Sequence, residues 1–135
     1  MLECYHDEIV FEDPAFGVLI GEHARNMWRM LCAADDDKKI TFSDICMSEQ
    51  SASALWEAEY TFSKNGRSVH NKIDAVFVLQ DGKIIKHTDH FHLHSWAKQA
   101  LGMKGFLLVV TKFFQRKLQA QNRKHASEVR KTQLA

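Results

Sequence analysis

Proline occurs once and glycine only six times in 135 residues, so the chain has few obligatory breaks. No low-complexity linker and no internal repeat divides it, and the reading is one domain over residues 1–135. Cysteine is scarce and odd in number. Cys4, Cys32 and Cys46 include no CxxC pair, which argues against a disulfide framework and fits a reducing compartment. Long apolar runs are also missing: the longest, Phe106 to Val110, is far too short to span a bilayer. The first eight residues are acidic, without the basic and apolar regions of a secretory signal. These absences together predict a soluble, cytoplasmic protein with no membrane span.

What is present is a 45% apolar composition, enough to bury a real core. Net charge is only +1, but it is unevenly spread: residues 1–60 hold 13 of the 17 acids and residues 61–135 hold 14 of the 18 lysines and arginines. The excess peaks from Lys104 to Lys131, where eight basic residues face only Glu128. Such a stretch could meet nucleic acid or anionic lipid. It lacks aromatic–basic interleaving and any nucleic-acid motif, so it reads as the solvated face of a helix, and nucleic acid is not an expected partner.

Periodicity divides the chain into elements. Glu8 to Glu12 reads as a short strand, Asp13-Pro14-Ala15-Phe16-Gly17 as a turn, and Val18 to Ile20 as a brief extended piece. Ala24, Met27, Trp28, Met30 and Leu31 recur at helical spacing up to about Ala34. From Ile40 the period becomes two. Trp56, Ala58, Tyr60 and Phe62 alternate with Glu57, Glu59 and Thr61; Lys64 to Arg67 supplies a turn; Val69, Asn71, Ile73, Ala75 and Phe77 alternate with His70, Lys72 and Asp74. Gln80-Asp81-Gly82-Lys83 is a second hairpin, followed by a strand with Ile85, His87, Asp89, Phe91 and Leu93 on one face and His90, His92 and His94 on the other. After Gly102, Leu107, Val110, Phe113, Phe114, Leu118 and Gln121 mark an amphipathic helix over about 105–127, docked on the domain or on a partner subunit. Long antiparallel strands in sequence-adjacent hairpins, preceded by a helix, predict an α+β fold.

Strand phase locates the chemistry. The face with Trp56, Tyr60, Ile73, Phe77 and Phe91 must be the buried one, and Asn71, His87 and Asp89 share it. Polar groups on an apolar face need partners or a purpose.

Several motifs in order carry a family resemblance: Phe11-Glu-Asp-Pro-Ala-Phe-Gly, Glu22-His-Ala-Arg-Asn-Met-Trp, Leu79-Gln-Asp-Gly-Lys-Ile-Ile and Thr88-Asp-His-Phe. Together they resemble the nuclear transport factor 2-like superfamily, which includes ketosteroid isomerases, limonene-epoxide hydrolases and polyketide cyclases. The likeness extends to about Gly102. It implies a cone-shaped fold, a strongly bent antiparallel sheet wrapped around helices, with an enclosed apolar pocket and homodimerisation through the outer sheet face. Asp13 falls where the ketosteroid isomerases carry their general base. Their second acid and their Tyr donor have no counterpart, since Ala75 stands at the first position and the sequence lacks the helix that bears the second. Asp89 matches the acid of the epoxide hydrolases and cyclases, while Trp56 and Ala58 replace the Arg-x-Asp pair with which the hydrolases activate water. Family members also begin with a long helix and a shorter one, of which Met1 to Tyr5 resembles only the end of the second. That implies a truncated chain, or a space filled by the C-terminal helix or a partner.

An inward Asp against apolar walls has its charged form disfavoured, which suits it to general acid or base work. The candidate catalytic residues are therefore Asp89, His87 and Asp13, with Asn71, Trp56, Tyr60, Ile73 and Phe91 lining a site for a small apolar ligand. The same residues also fit a hydrogen-bonded structural network in a pocket that only binds. His90, His92 and His94 project to one side of a strand, but alternate residues lie about 7 Å apart, too far to converge on one ion. No metal and no cofactor is expected. Two functions stay open: an isomerase or cyclase of a small hydrophobic carbonyl compound, and a non-catalytic binding or dimerisation module.

Overall fold

The computed structural model describes residues 1–34, 37–108, 111, 112 and 116. A single turn of 3₁₀ helix, Leu2–Cys4, leads into β1 (Tyr5–Asp13) and β2 (Gly17–Ile20), and α1 follows (Glu22–Ala33). A meander of β3 (Lys39–Met47), β4 (Ser51–Phe62), β5 (Arg67–Gln80) and β6 (Lys83–His90) comes next. A second helix, α2, runs over 93–108. The six strands form one sheet in the order β2-β1-β6-β5-β4-β3.

The meander is antiparallel throughout, as the hairpin signals require. The β5–β6 connection has Asp81 and Gly82 as its two central residues, at φ 52° and 75°, which matches the twist of the strands it joins. Expectation and structure differ at β1, which pairs β6 in parallel, so the sheet is mixed. The cause is topological: α1 and four strands intervene between β1 and β6, and a long crossover leaves the direction free.

Alternation sets which face is buried. Along β5, Val69, Ile73 and Ala75 are buried and Asn71 and Phe77 half-buried, while His70, Lys72, Asp74 and Val76 are exposed. On β1 the inward residues Tyr5, Ile9 and Phe11 meet Ala24, Met27 and Trp28 of α1 in the main core. Burying side chains the size of Ile9 and Phe11 contributes about 1.5–3 kcal/mol each.

At the other end of the sheet, α2 packs on β4. The Trp96 indole donates to the Tyr60 hydroxyl at 2.9 Å and stands edge-on to Phe62. Gly102 lies within α2 at φ 67°, and carbonyls of the turn before it accept from the β4–β5 connection: Arg67 donates to Gln99 and Lys98, and Asn65 to Ala100. Helical structure thus begins well before Gly102, earlier than its periodicity indicates. The stripe residues Val110, Phe113, Phe114, Leu118 and Gln121, and most of the basic stretch, lie outside the described residues. The inner face at β3 is uncovered among those residues: Ile40 and Phe42, which pair with Ala58 and Trp56, are 50% and 70% exposed.

Candidate active site

The site lies where β1 and β6 run side by side beneath α1. Phe11 pairs with His87 and Glu12 with Thr88, so the next step along both strands brings Asp13 beside Asp89. The parallel pairing therefore makes neighbours of two carboxylates that stand far apart in the sequence.

His87 and Asp89, two residues apart on one strand face, are joined by a 2.8 Å hydrogen bond between Nε2 and Oδ1. Both are buried, at 1% and 4% exposure. The second ring nitrogen, Nδ1, lies 2.5 Å from the hydroxyl of Tyr5. The ring stacks on Trp28, meets Phe11 edge-on and tilts against Phe77. His87 thus has both nitrogens satisfied and aromatic rings around it, and it reaches a ligand only through Asp89.

Tyr5 is the member that sequence reading missed. It follows the parity of Ile9, Phe11 and Asp13, but the polar run His6-Asp7-Glu8 breaks the alternation, and β1 is irregular against β6 between Tyr5 and Val10. Arg25 of α1 fixes this segment by donating to the carbonyls of Leu2, Tyr5 and His6. Burial holds the Tyr5 phenol well above its ordinary value; the Trp28 indole and the Arg25 charge oppose the rise and the Asp89 charge adds to it. The Trp28 Nε1 itself is buried without an aligned acceptor.

Asp13 has a double role. Its Oδ1 accepts the main-chain N–H groups of Ala15 and Phe16, at 2.9 and 2.5 Å, and so shapes the turn into β2. Burial raises its proton affinity, the Phe16 and Ala15 N–H groups work against that, and the Asp89 charge adds to the rise. Two neighbouring carboxylates disfavour double ionisation.

The predicted lining residues separate. Trp56 and Ile73 stand directly opposite on β4 and β5, and Trp56 packs on the main core. Asn71 is four residues along β5 from Ala75, the partner of Asp89, which is about 13 Å of strand and too far to act with it. The Tyr60 hydroxyl accepts from Trp96. Phe91 falls just past the end of β6 and is half-buried. The histidine row also breaks: His90 ends the strand, His92 lies in the connector, and His94 sits on α2 against Phe106.

The inner face is packed around His87. An open groove of about 560 Å³ lies on the outer face, lined by Leu55, Glu57, Lys72, Asp74, His90 and His92 together with three of the predicted lining residues, Trp56, Ile73 and Phe91. The three cysteines are exposed and unpaired. No helix among the described residues is long and apolar enough to cross a membrane.

Comparison with known proteins places this arrangement in a family. Residues 1–87 match the model of the SnoaL-like domain. No curated protein matches the chain. Among solved structures, a nuclear transport factor 2-like protein of unknown function from Burkholderia pseudomallei superposes with a TM-score of 0.65 at 17% identity, covering 74% of this chain and 82% of that one. A putative SnoaL-like polyketide cyclase from Jannaschia gives 0.65 at 12% identity, over 73% and 74% of the two chains. IdmH, a putative polyketide cyclase from Streptomyces antibioticus, gives 0.60 at 19% identity, over 75% and 84%. The family match over nearly two thirds of the sequence agrees with the mixed, open sheet and its α+β architecture: the chain belongs to the SnoaL-like domain family of the nuclear transport factor 2-like superfamily.

Proposed function

We propose that this chain is an acid–base catalyst, an isomerase or cyclase acting on a small hydrophobic carbonyl compound without a cofactor. Asp89 carries the proton to or from the substrate, His87 orients and supports it, and Asp13 is the second carboxyl of the site. The observation that carries the reading is the buried Asp89 carboxyl, hydrogen-bonded by a fully enclosed histidine and flanked by a second carboxyl of raised proton affinity. A pair of titratable groups in contrasting environments is a pattern of acid–base sites. Neighbours named as putative polyketide cyclases support the same chemical class.

The test is turnover of a panel of hydrophobic ketones and poly-β-carbonyl compounds by the wild type and Asp89→Asn, with circular dichroism as the control for folding. Substrate conversion that vanishes in a folded Asp89→Asn supports the reading, and full activity in that variant ends it.

A second reading, a non-catalytic module that holds an apolar ligand or joins a homodimer, draws on a different observation. Leu55, Val76 and Val78 are each about two-fifths exposed on the outer face, where the groove also opens. A second copy of the chain would cover them. Under that reading Asp89→Asn keeps ligand affinity, and sedimentation shows a dimer that a charged residue at Val76 dissociates.

A further inference from the structure

One imidazole ring separates a phenol from a carboxyl in the core. We propose that Tyr5 is a positioning residue: its hydroxyl locks His87 in the tautomer with hydrogen on Nε2, so that the mobile proton of the site resides on Asp89 and not on His87. The inference rests on the acid–base reading above for its role in turnover, though not for its structural content.

A neutral imidazole has one N–H and one acceptor nitrogen. In the first possible arrangement Tyr5 donates to Nδ1 and Nε2–H donates to the Asp89 carboxylate. In the second, Nδ1–H donates to the Tyr5 oxygen and Nε2 accepts from a protonated Asp89. Both fit distances of 2.5 and 2.8 Å, but they differ in what happens to the phenolic hydrogen. The second arrangement turns that hydrogen away from Nδ1. Among the described residues Tyr5 has no other hydrogen-bond acceptor: the polar neighbour is the buried Trp28 indole, which can donate but cannot accept. A stranded buried hydroxyl biases the tautomer ratio by about tenfold or more. A doubly protonated ring meets the same obstacle, because it too needs the Tyr5 oxygen as an acceptor.

Geometry holds Tyr5 in place for this task. Its hydroxyl is buried, and its main chain is pinned to α1 through the Arg25 guanidinium at 3.0 Å. Burial keeps it a phenol, and therefore a donor. The charged groups facing the relay are Asp89 and Asp13 from β6 and β1 and Arg25 from α1. With Nε2–H committed to one carboxylate oxygen, a proton arriving on Asp89 takes the other oxygen.

Long-range ¹H–¹⁵N correlation of the histidine rings in labelled protein tests this, with the His87 signals identified by their loss in His87→Gln. The expected wild-type result is hydrogen on Nε2 alone, in mildly acidic and in neutral buffer alike. Tyr5→Phe should show hydrogen on both nitrogens in exchange. In turnover it should lower kcat on the order of tenfold with little change in KM, the scale of a lost supporting hydrogen bond. Hydrogen on Nδ1 in the wild type overturns the proposal, as does an unchanged tautomer in folded Tyr5→Phe. The wild-type spectrum decides alone if the variant does not fold. Absence of turnover with any carbonyl compound would remove the proposed activity and leave the tautomer result standing, so the two failures are distinguishable.

Discussion

The sheet carries two histidine–carboxylate pairs, one on each face. His87 and Asp89 are buried on the inner face, with side chains 2% and 4% exposed; His70 and Glu57 bond across β4 and β5 on the outer face, with side chains 45% and 38% exposed. The chemical groups are alike and the hydrogen bonds similarly short, at 2.8 and 2.5 Å. Their surroundings differ. The outer pair is open to solvent and to the Lys72 ammonium, whereas among the described residues the inner one is bounded by Tyr5, Asp13 and aromatic rings, with Arg25 behind Tyr5. In a low dielectric each unmet hydrogen bond is expensive, and in water the same loss is nearly free. Burial, not residue type, therefore separates the candidate site from a surface contact.

The most severe way to break this comparison is to alter the inner carboxyl. Asp89→Asn should cost about 10²–10⁴-fold in turnover, the usual contribution of a positioned acid or base, while the fold survives. If its loss in the same assay matches that of Glu57→Gln, burial confers no special role. Next in size is His87→Ala, which removes a fully buried ring and leaves Tyr5 and Asp89 without their shared partner. Urea unfolding should show a destabilisation of about 3 kcal/mol or more. His70→Ala should leave the melting temperature within replicate scatter.

Much of this contrast was legible in the sequence and some was not. Strict alternation put His87 and Asp89 inside and His70 outside, because a one-residue slip would have exposed Ile73 and Ala75. The Asp81-Gly82 turn and the apolar spacing of α1 were equally plain. The pairing of β1 with β6 was not. It joins Tyr5 to His87 across 82 positions, and periodicity reports only neighbours in sequence. Without that pairing Asp13 could not be set beside Asp89, nor Asn71 removed from it. How the inner face is filled was hidden for a similar reason: among the described residues aromatic rings pack around His87, and alternation shows which residues face inward, not how completely they fill the space.

A smaller effect sharpens the electrostatic side of the comparison. Asp13 binds its proton more tightly folded than unfolded, chiefly through burial. Its stabilising contribution is therefore fully present below the unfolded carboxylate value and is lost as pH rises through the raised folded value. In Asp13→Asn the amide oxygen still accepts from Ala15 and Phe16, so the turn persists while the titration disappears. Melting temperatures between about pH 4 and pH 7 should then fall less steeply with rising pH than in the wild type. A constant offset between the two proteins at every pH would show that the Asp13 charge feels no burial.

The smallest effect belongs to Glu57, and its sign is opposite. The hydrogen bond from His70 holds its carboxyl below the ordinary value, desolvation opposes this, and Lys72 adds to the lowering. Such a group stabilises the fold above the unfolded carboxylate value and loses that contribution as pH falls through the folded one. Any cost of Glu57→Gln must therefore appear near neutral pH and fade in acid, the reverse of the Asp13 trend. Because the pair is open to water, salt should erase even that: melting curves of wild type and Glu57→Gln should coincide at physiological ionic strength and separate slightly only in dilute buffer. A large, salt-insensitive loss would mean that a partner covers the outer face in solution, and the two histidine–carboxylate pairs would then both be interior.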